Sequence, residues 1–222
     1  MLKLYHNPVS ANSRRVWIAL LEKNLKFELI EMQLDGDQYQ PEFLKHNPFH
    51  HIPVLDDDGF VVIESLAILD YLEAKYPFPA LVPTEDPQAL AVVKMVELVT
   101  VNELLPATIP LMSKMMGFPN SDNREKLEQA KEKALTVLDF FEDVLGNNLY
   151  FGSQELTLAD IVAGCTIIWL PQMDISLDDF PKLKAWCDRL SQRSSWQTTQ
   201  PTPAAIEAIK TRMQALLAQR EK

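Results

Sequence analysis

"LKLYHNPVSANSRRVWIALLEKNLKFELIEMQL", residues 2–34, changes its period twice. Leu2 to Tyr5 alternates as a short strand, "RRVWIALLEKN" (14–24) lines Val16, Trp17, Leu20 and Leu21 along one helical face, and "KFELIEMQL" (26–34) alternates again. Strand, helix, strand is a βαβ unit. Downstream, "PEFLKH" (41–46) allows one or two helical turns, and "IPVLDDDGFVVIES" (52–65) reads as two strands joined by an Asp58-Gly59 turn. "SLAILDYLEAKY" (65–76) then closes the block as a helix. The order βαβ, connection, ββα predicts a small mixed sheet covered by helices over residues 1–78.

Beyond Pro77 the strand signal nearly vanishes. "YPFPALVPTEDP" (76–87) holds Pro77, Pro79, Pro83 and Pro87, so it is stiff and poor in donors, and residues 79–86 read as a linker. Helical segments follow at about 87–116, 123–145, 157–170, 181–192 and 203–220, which makes residues 87–222 an all-helical domain. In "TLADI" (157–161), Thr157 and Asp160 have the spacing of a capping box, with Asp in place of the usual Glu or Gln, ahead of an apolar run.

The chain's 222 residues, 47% of them hydrophobic, suffice for a substantial core. Its net charge of -10 repels phosphate backbones and anionic lipid, so neither nucleic acid nor a membrane surface is an expected partner. The longest apolar stretch, "IVAGCTIIWLPQM" (161–173), falls short of the roughly 20 residues of a membrane span, and "MLKLYHN" lacks the layout of a signal peptide. Cys165 and Cys187 lie far apart in apolar helical segments, which suits buried free thiols in the reducing cytoplasm.

Three polar constellations fall in the first domain. Ser10 stands just ahead of a helix that begins near Asn12 or Ser13; the helix start favours an anion, the Ser10 hydroxyl could donate to it, and Asn12 or Ser13 could cap the helix. Glu64-Ser65 repeats the arrangement, Ser65 suiting a carboxylate and Glu64 an ammonium. Each is also an ordinary turn or cap; two polar helix starts in one small unit carry more weight than either. Between them, "NPFHHIPVL" (47–55) holds His50 and His51, and Ile52-Pro53 is a candidate cis peptide. His46 and His50 would share a helix face, but Pro48 interrupts it, and no CxxC or HExxH spacing supports a metal site. No phosphate-binding glycine loop and no GxSxG elbow occurs.

Five segments in order, "SANSRRVWIALLEKNLKFE" (10–28), "PEFLKHNPFHHIPVL" (41–55), "ESLAILDYL" (64–72), "GSQELTLADI" (152–161) and "FPKLKAWCDRLSQRSSW" (180–196), resemble the cytosolic glutathione transferases. The resemblance covers essentially the whole chain and is nearest to the serine-type delta, theta and phi classes. It implies an α/β thioredoxin-like N-terminal domain followed by an all-α domain, a homodimer, and glutathione as cosubstrate with no tightly bound cofactor. Ser10 matches the serine that activates the glutathione thiol; Ile52 and Pro53 match the segment that pairs with its cysteinyl part; Glu64 and Ser65 match the pair that holds its γ-glutamyl end; His50 and His51 match the loop that reaches its glycyl carboxylate. Tyr5 lies close to where other classes place a catalytic tyrosine and is the rival activator. The chain departs from relatives at Leu66, where delta-class members often carry Arg, and at Gln38 and Tyr39, where several classes carry His or Lys.

The implied reaction is conjugation of glutathione to a small hydrophobic electrophile, the same thiolate also serving isomerisation or peroxide reduction; the alternative is a non-catalytic member of the fold that binds apolar ligands or proteins. Leu104, Ile109, Met112, Met115 and Met116 form a candidate apolar wall for the electrophile, or ordinary packing, and the tail helix either caps the pocket or packs on the surface.

Overall fold

β1 (Leu2–His6) is the hinge of the sheet: it pairs in parallel with β2 (Phe27–Glu31) and antiparallel with β3 (Val54–Asp57), which pairs antiparallel with β4 (Phe60–Ile63), giving the order β2-β1-β3-β4. The computed structural model describes residues 1–220. α1 (Ala11–Glu22) and α3 (Ser65–Lys75) bury Val16, Ile18, Leu20, Ile68, Leu69 and Leu72, together with Leu4 and Leu55 of the sheet. A short α2 (Pro41–Leu44) puts Phe43 against Met32 and Val54. Lys23, just past α1, is buried; its ammonium donates to the carbonyls of Tyr76 and Pro79 at 2.8 Å and pairs with Glu73 at 2.6 Å. Those contacts tie the exit of α3 to the end of α1, and the ion pair and carbonyls together compensate the buried charge.

Two compact units emerge, and they differ from the sequence expectation in one respect. The first comprises Met1–Ala80 and the chain from Ser194 onward; the second is Leu81–Arg193. The tail, read as part of the helical domain, therefore returns to the first unit. α9 (Ser194–Thr198), too short for a periodic signal, packs on α1 with a hydrogen bond from Ser195 to Glu22, and its Trp196 is buried. α10 (Pro203–Arg220) follows, and Arg212 Nη1 donates to the Gln33 carbonyl at 3.0 Å.

The second unit contains α4 (Pro87–Val99), α5 (Leu105–Met115), α6 (Arg124–Leu145), α7 (Leu158–Ile167) and α8 (Pro181–Ser191). A π-helical turn, Thr100–Leu104, joins α4 to α5 where the sequence suggests one continuous helix: Pro106 has no N–H to offer its preceding turn, and the Leu105 N–H reaches five residues back to the Thr100 carbonyl. α7 is buried along its whole length, and its start is fixed by Asp160. Burial pushes that carboxyl up to about 6, while the N–H groups of Phe151 (3.0 Å) and Thr157 (2.7 Å), the Trp186 indole N–H (2.8 Å) and the Thr157 hydroxyl (2.8 Å) act in the opposite direction. The capping box expected from "TLADI" is thus present, extended by an aromatic row in which Phe151 stacks edge-on with Phe141 and Trp186. Gly152 is required beside it: its φ is +71°, and an added Cβ would lie 2.7 Å from the Ala89 carbonyl oxygen.

Asp160→Ala leaves three buried N–H donors without their acceptor at about 1–3 kcal/mol each, so equilibrium denaturation should show a loss of about 3 kcal/mol or more. A carboxyl that titrates near 6 when folded and near 3.8 when unfolded adds stability that is complete below 3.8 and is lost as pH rises through 6. Unfolding free energies measured across that window should accordingly fall with rising pH more steeply in the wild type than in Asp160→Asn, once both are corrected for their common background.

Candidate functional site

The sheet register decides which loops meet. Tyr5 faces Val54, and Val54 faces Ile63, so the exit of β1, the start of β3 and the exit of β4 share one edge. The residues just outside that row are Pro53 and Glu64, and the first turns of α1 and α3 begin at the same edge. A cleft of about 560 Å³ opens there, lined by Asn12 of α1, Ile52 and Pro53 ahead of β3, and Glu64 and Ser65 at the start of α3. Leu34, Gln38 and Tyr39 from the loop after β2, Asn47, His50 and His51 from the loop after α2, and Met213 of α10 complete it.

Each wall has a local cause. Asp37 accepts from the N–H groups of Gln33 (2.6 Å) and Leu34 (3.0 Å), which folds the first loop back on itself. Buried Asn47 accepts from the Phe49 N–H (3.0 Å) and donates to the His51 carbonyl (2.8 Å), fixing the path into the cis Ile52-Pro53 peptide. The His50 ring lies 4.9 Å from Tyr39 and 5.3 Å from His51, centroid to centroid. Glu64 is held at φ +68° and ψ +119°, a backbone conformation that a side chain with a Cβ rarely adopts and that costs about 1–3 kcal/mol. The unpaired N–H groups of the first turn of α3 follow directly after it.

Six of the residues singled out by sequence, His50, His51, Ile52, Pro53, Glu64 and Ser65, come together here. Ser10 does not line the cleft: it is the N-cap of α1, which begins at Ala11, and its Oγ accepts from the Ser13 N–H at 3.3 Å. The cap expected from Asn12 or Ser13 therefore belongs to Ser10, because Ser13 sits in the third helical position, where it supplies the donor. Two residues on, Asn12 faces the cleft, and its Oδ1 accepts from Arg15 Nη1 at 2.8 Å. Tyr5 is half-buried; its ring packs edge-on to Phe43, and its hydroxyl lies 3.4 Å from His46 Nε2, away from the cleft lining.

The apolar stripe of the helical unit is not one surface. Leu104 and Met116 are buried in packing, Ile109 and Met112 are exposed, and Met115 lines a different, polar cleft with Lys114, Arg124 and Lys131. The π turn breaks the 3.6-residue phase after Leu104, and Met116 turns inward as the C-cap of α5. Asn12, Leu34, Asn47 and Met213 line the cleft without having been singled out as binding residues: Asn12 read as a capping residue, and Met213 belongs to a helix whose placement no local pattern reveals. Cys165 and Cys187 form no disulfide and are both buried, and burial pushes the Cys187 thiol up to about 12, so it supplies no reactive thiolate.

Comparison with known proteins identifies the family. The family model "Glutathione S-transferase, N-terminal domain" matches residues 4–85, and "Glutathione S-transferase, C-terminal domain" matches residues 69–194. The chain is 32% identical over 208 residues to glutathione S-transferase F13 of Arabidopsis thaliana, covering 90% of this chain and 95% of that protein. Its structure superimposes on glutathione transferase F7 of Populus trichocarpa with a TM-score of 0.81 and 31% identity, covering 91% and 100% of the two chains. A Sulfitobacter homologue solved with bound glutathione gives a TM-score of 0.76 and 26% identity, over 90% of this chain and 97% of that one. With a thioredoxin-like sheet, a helical second unit and both family domains in order, the chain belongs to the glutathione S-transferase family.

Proposed function

We propose that this chain is a glutathione transferase that ionises the thiol of glutathione and joins the sulfur to a small hydrophobic electrophile. The observation that carries the reading is the convergence of Ile52-Pro53, Glu64-Ser65 and the start of α1 on one cleft at the sheet edge. Ser65 and the first N–H groups of α3 take the γ-glutamyl carboxylate, and Glu64 accepts from the neighbouring ammonium. The Ile52 backbone pairs with the cysteinyl residue, and His50 or His51 reaches the glycyl carboxylate. Ser10 is the preferred activator over Tyr5, whose ring and hydroxyl are engaged by Phe43 and His46. Because the Ser10 Oγ serves Ser13 as an acceptor, its hydroxyl proton is left to donate to the sulfur.

The energetics suffice without a metal or a general base. A thiol with pKa about 8.5 is only about 3% ionised at pH 7, and lowering that pKa by about two units corresponds to about 2.7 kcal/mol. A hydrogen bond to a charged group supplies about 1.5–3 kcal/mol and a helix N-terminus about 0.3–1 kcal/mol. The thiol proton passes to solvent; the sulfur lone pair then forms the new bond to carbon, and the leaving group departs with the electron pair of the bond that breaks. The rest of the rate comes from holding the electrophile against the sulfur. We also read the active form as a homodimer, since Phe49 and Phe60 of the first unit and Leu98 of the second each leave more than half of their surface exposed.

Ser10→Ala should raise the pKa of the bound thiol by about one to two units, read from thiolate ultraviolet absorbance against pH, and lower kcat/KM at neutral pH toward a chloronitroarene about tenfold or more. Ser10→Thr, which keeps both hydroxyl and cap, should restore most of each; an unchanged thiol pKa in the alanine variant rules out Ser10 as the activator. Glu64→Gly should split two readouts: relief of the positive φ raises or preserves thermal stability, by about 1 kcal/mol, while calorimetry shows glutathione binding weakened about tenfold.

A further inference from the structure

Arg14 and Arg15 are adjacent on α1 and both are buried, but their surroundings differ. Arg15 Nη1 donates to Asn12 Oδ1 at 2.8 Å and to Ser65 Oγ at 3.4 Å. Arg14 is 3% exposed, its Nε is enclosed without a partner, and no acceptor among the described residues lies within hydrogen-bonding distance of its guanidinium. An ion taken out of water without a counter-charge is strongly unfavourable, so a buried guanidinium of this kind is completed by a group that the described residues do not supply.

A second unmatched donor stands beside it. Trp17 is three residues on, where helical side chains are neighbours, and its indole Nε1 is also enclosed without a partner. Guanidinium and indole N–H groups only donate. The His6 ring packs edge-on to Trp17 at 5.1 Å between centroids, and burial lowers its pKa, so Arg14 is the fixed charge of this flank. Two neighbouring groups that only donate, one of them charged, match an oxyanion, and a carboxylate offers one oxygen to each. Arg14 is the fourth residue of α1, and its backbone N–H bonds to the Ser10 carbonyl at 2.9 Å. Helical side chains lean towards the N-terminus, which directs the guanidinium over the turn that begins at Ser10.

We propose that Arg14 and Trp17 form an oxyanion site on the flank of α1 and that its ligand is a carboxylate, carried by the electrophile or free in solution. Both carboxylates of glutathione have other partners in the reading above, Ser65 with the start of α3 and His50 or His51. The position one turn from Ser10 therefore assigns the site to the electrophile, whose apolar body then carries an acidic group. That assignment rests on the glutathione transferase reading, whereas the site itself does not.

Two measurements on the full-length protein separate the sources. The first is kcat/KM with a chloronitrobenzoate and with the matching chloronitrobenzamide, which is uncharged. Both meet the same thiolate, so any change in thiol ionisation cancels from the acid-to-amide ratio. Arg14→Gln should lower that ratio about tenfold, Arg14→Lys should keep part of it, and Trp17→Phe, which keeps a ring but not the N–H, should lower it about threefold. The second is thermal melting: acetate at about 0.1 M should raise the Tm of the wild type by about 2–4 °C more than that of Arg14→Met, which has no charge to satisfy. A lowered ratio in Arg14→Gln and Trp17→Phe assigns the site to the electrophile. An unchanged ratio, with the acetate effect lost in Arg14→Met, keeps the site and overturns that assignment in favour of a free anion. Variants that match the wild type in both ratio and acetate response overturn the site. Failure of the wild type to turn over either compound overturns the enzymatic reading alone, and the acetate measurement still decides the site.

Discussion

The register of β1, β3 and β4 is the constraint on which the cleft depends. A strand slipped by one residue turns every side chain to the opposite face, so the burial of Leu4 and Leu55 in the same layer as Ile68 and Leu72 permits a single alignment. That alignment places Tyr5, Val54 and Ile63 in one row. Whatever follows His6, precedes Val54 or follows Ile63 then emerges at a common edge, and the cleft residues are the ones the chain has at those exits. Binding geometry is in this sense a by-product of core packing.

The polar groups divide by the work their surroundings require. In the helical unit Asp160 is fully enclosed and gathers donors from a loop, a helix start and a tryptophan, so its carboxylate organises backbone that would otherwise leave N–H groups unpaired. At the cleft the same helix-start chemistry is left incomplete: α3 begins behind a strained Glu64 with no side-chain cap, and its first N–H groups face a space large enough for a ligand. A capped helix start stabilises the fold, whereas an uncapped one beside a cleft holds binding capacity in reserve. Lys23 belongs with Asp160: its buried charge is balanced by Glu73 and two carbonyls and has no free valence for a ligand.

Most of the architecture was legible in local pattern. Periods of two and 3.6 placed the four strands and the main helices, and Thr157 with Asp160 marked the start of α7. The Glu64-Ser65 and Ile52-Pro53 pairs were visible as polar helix starts and a proline ahead of a strand, and the resemblance assigned them their roles. What escaped notice depends on contacts distant in sequence or on side-chain orientation. The cap expected at Asn12 or Ser13 fell to Ser10, because whether a helix starts at residue 11 or 13 decides which side chain caps it. Leu104, Ile109, Met112, Met115 and Met116 read as one face only while the helix kept an unbroken phase, and Pro106 removed that condition. Gly152 gave no hint of its tight approach to Ala89, since nothing in its neighbourhood in the sequence involves α4.

The return of the tail to the first unit has a consequence for the order of events during synthesis. The sheet and its three helices leave the ribosome first, but α10, with Met213, follows only after more than a hundred residues of the helical unit. A nascent chain can therefore assemble strands, cis proline and both helix starts while the cleft still lacks one wall. Completion of the pocket therefore waits on a helix made after the whole helical unit, although the wall it supplies is remote in sequence from the others.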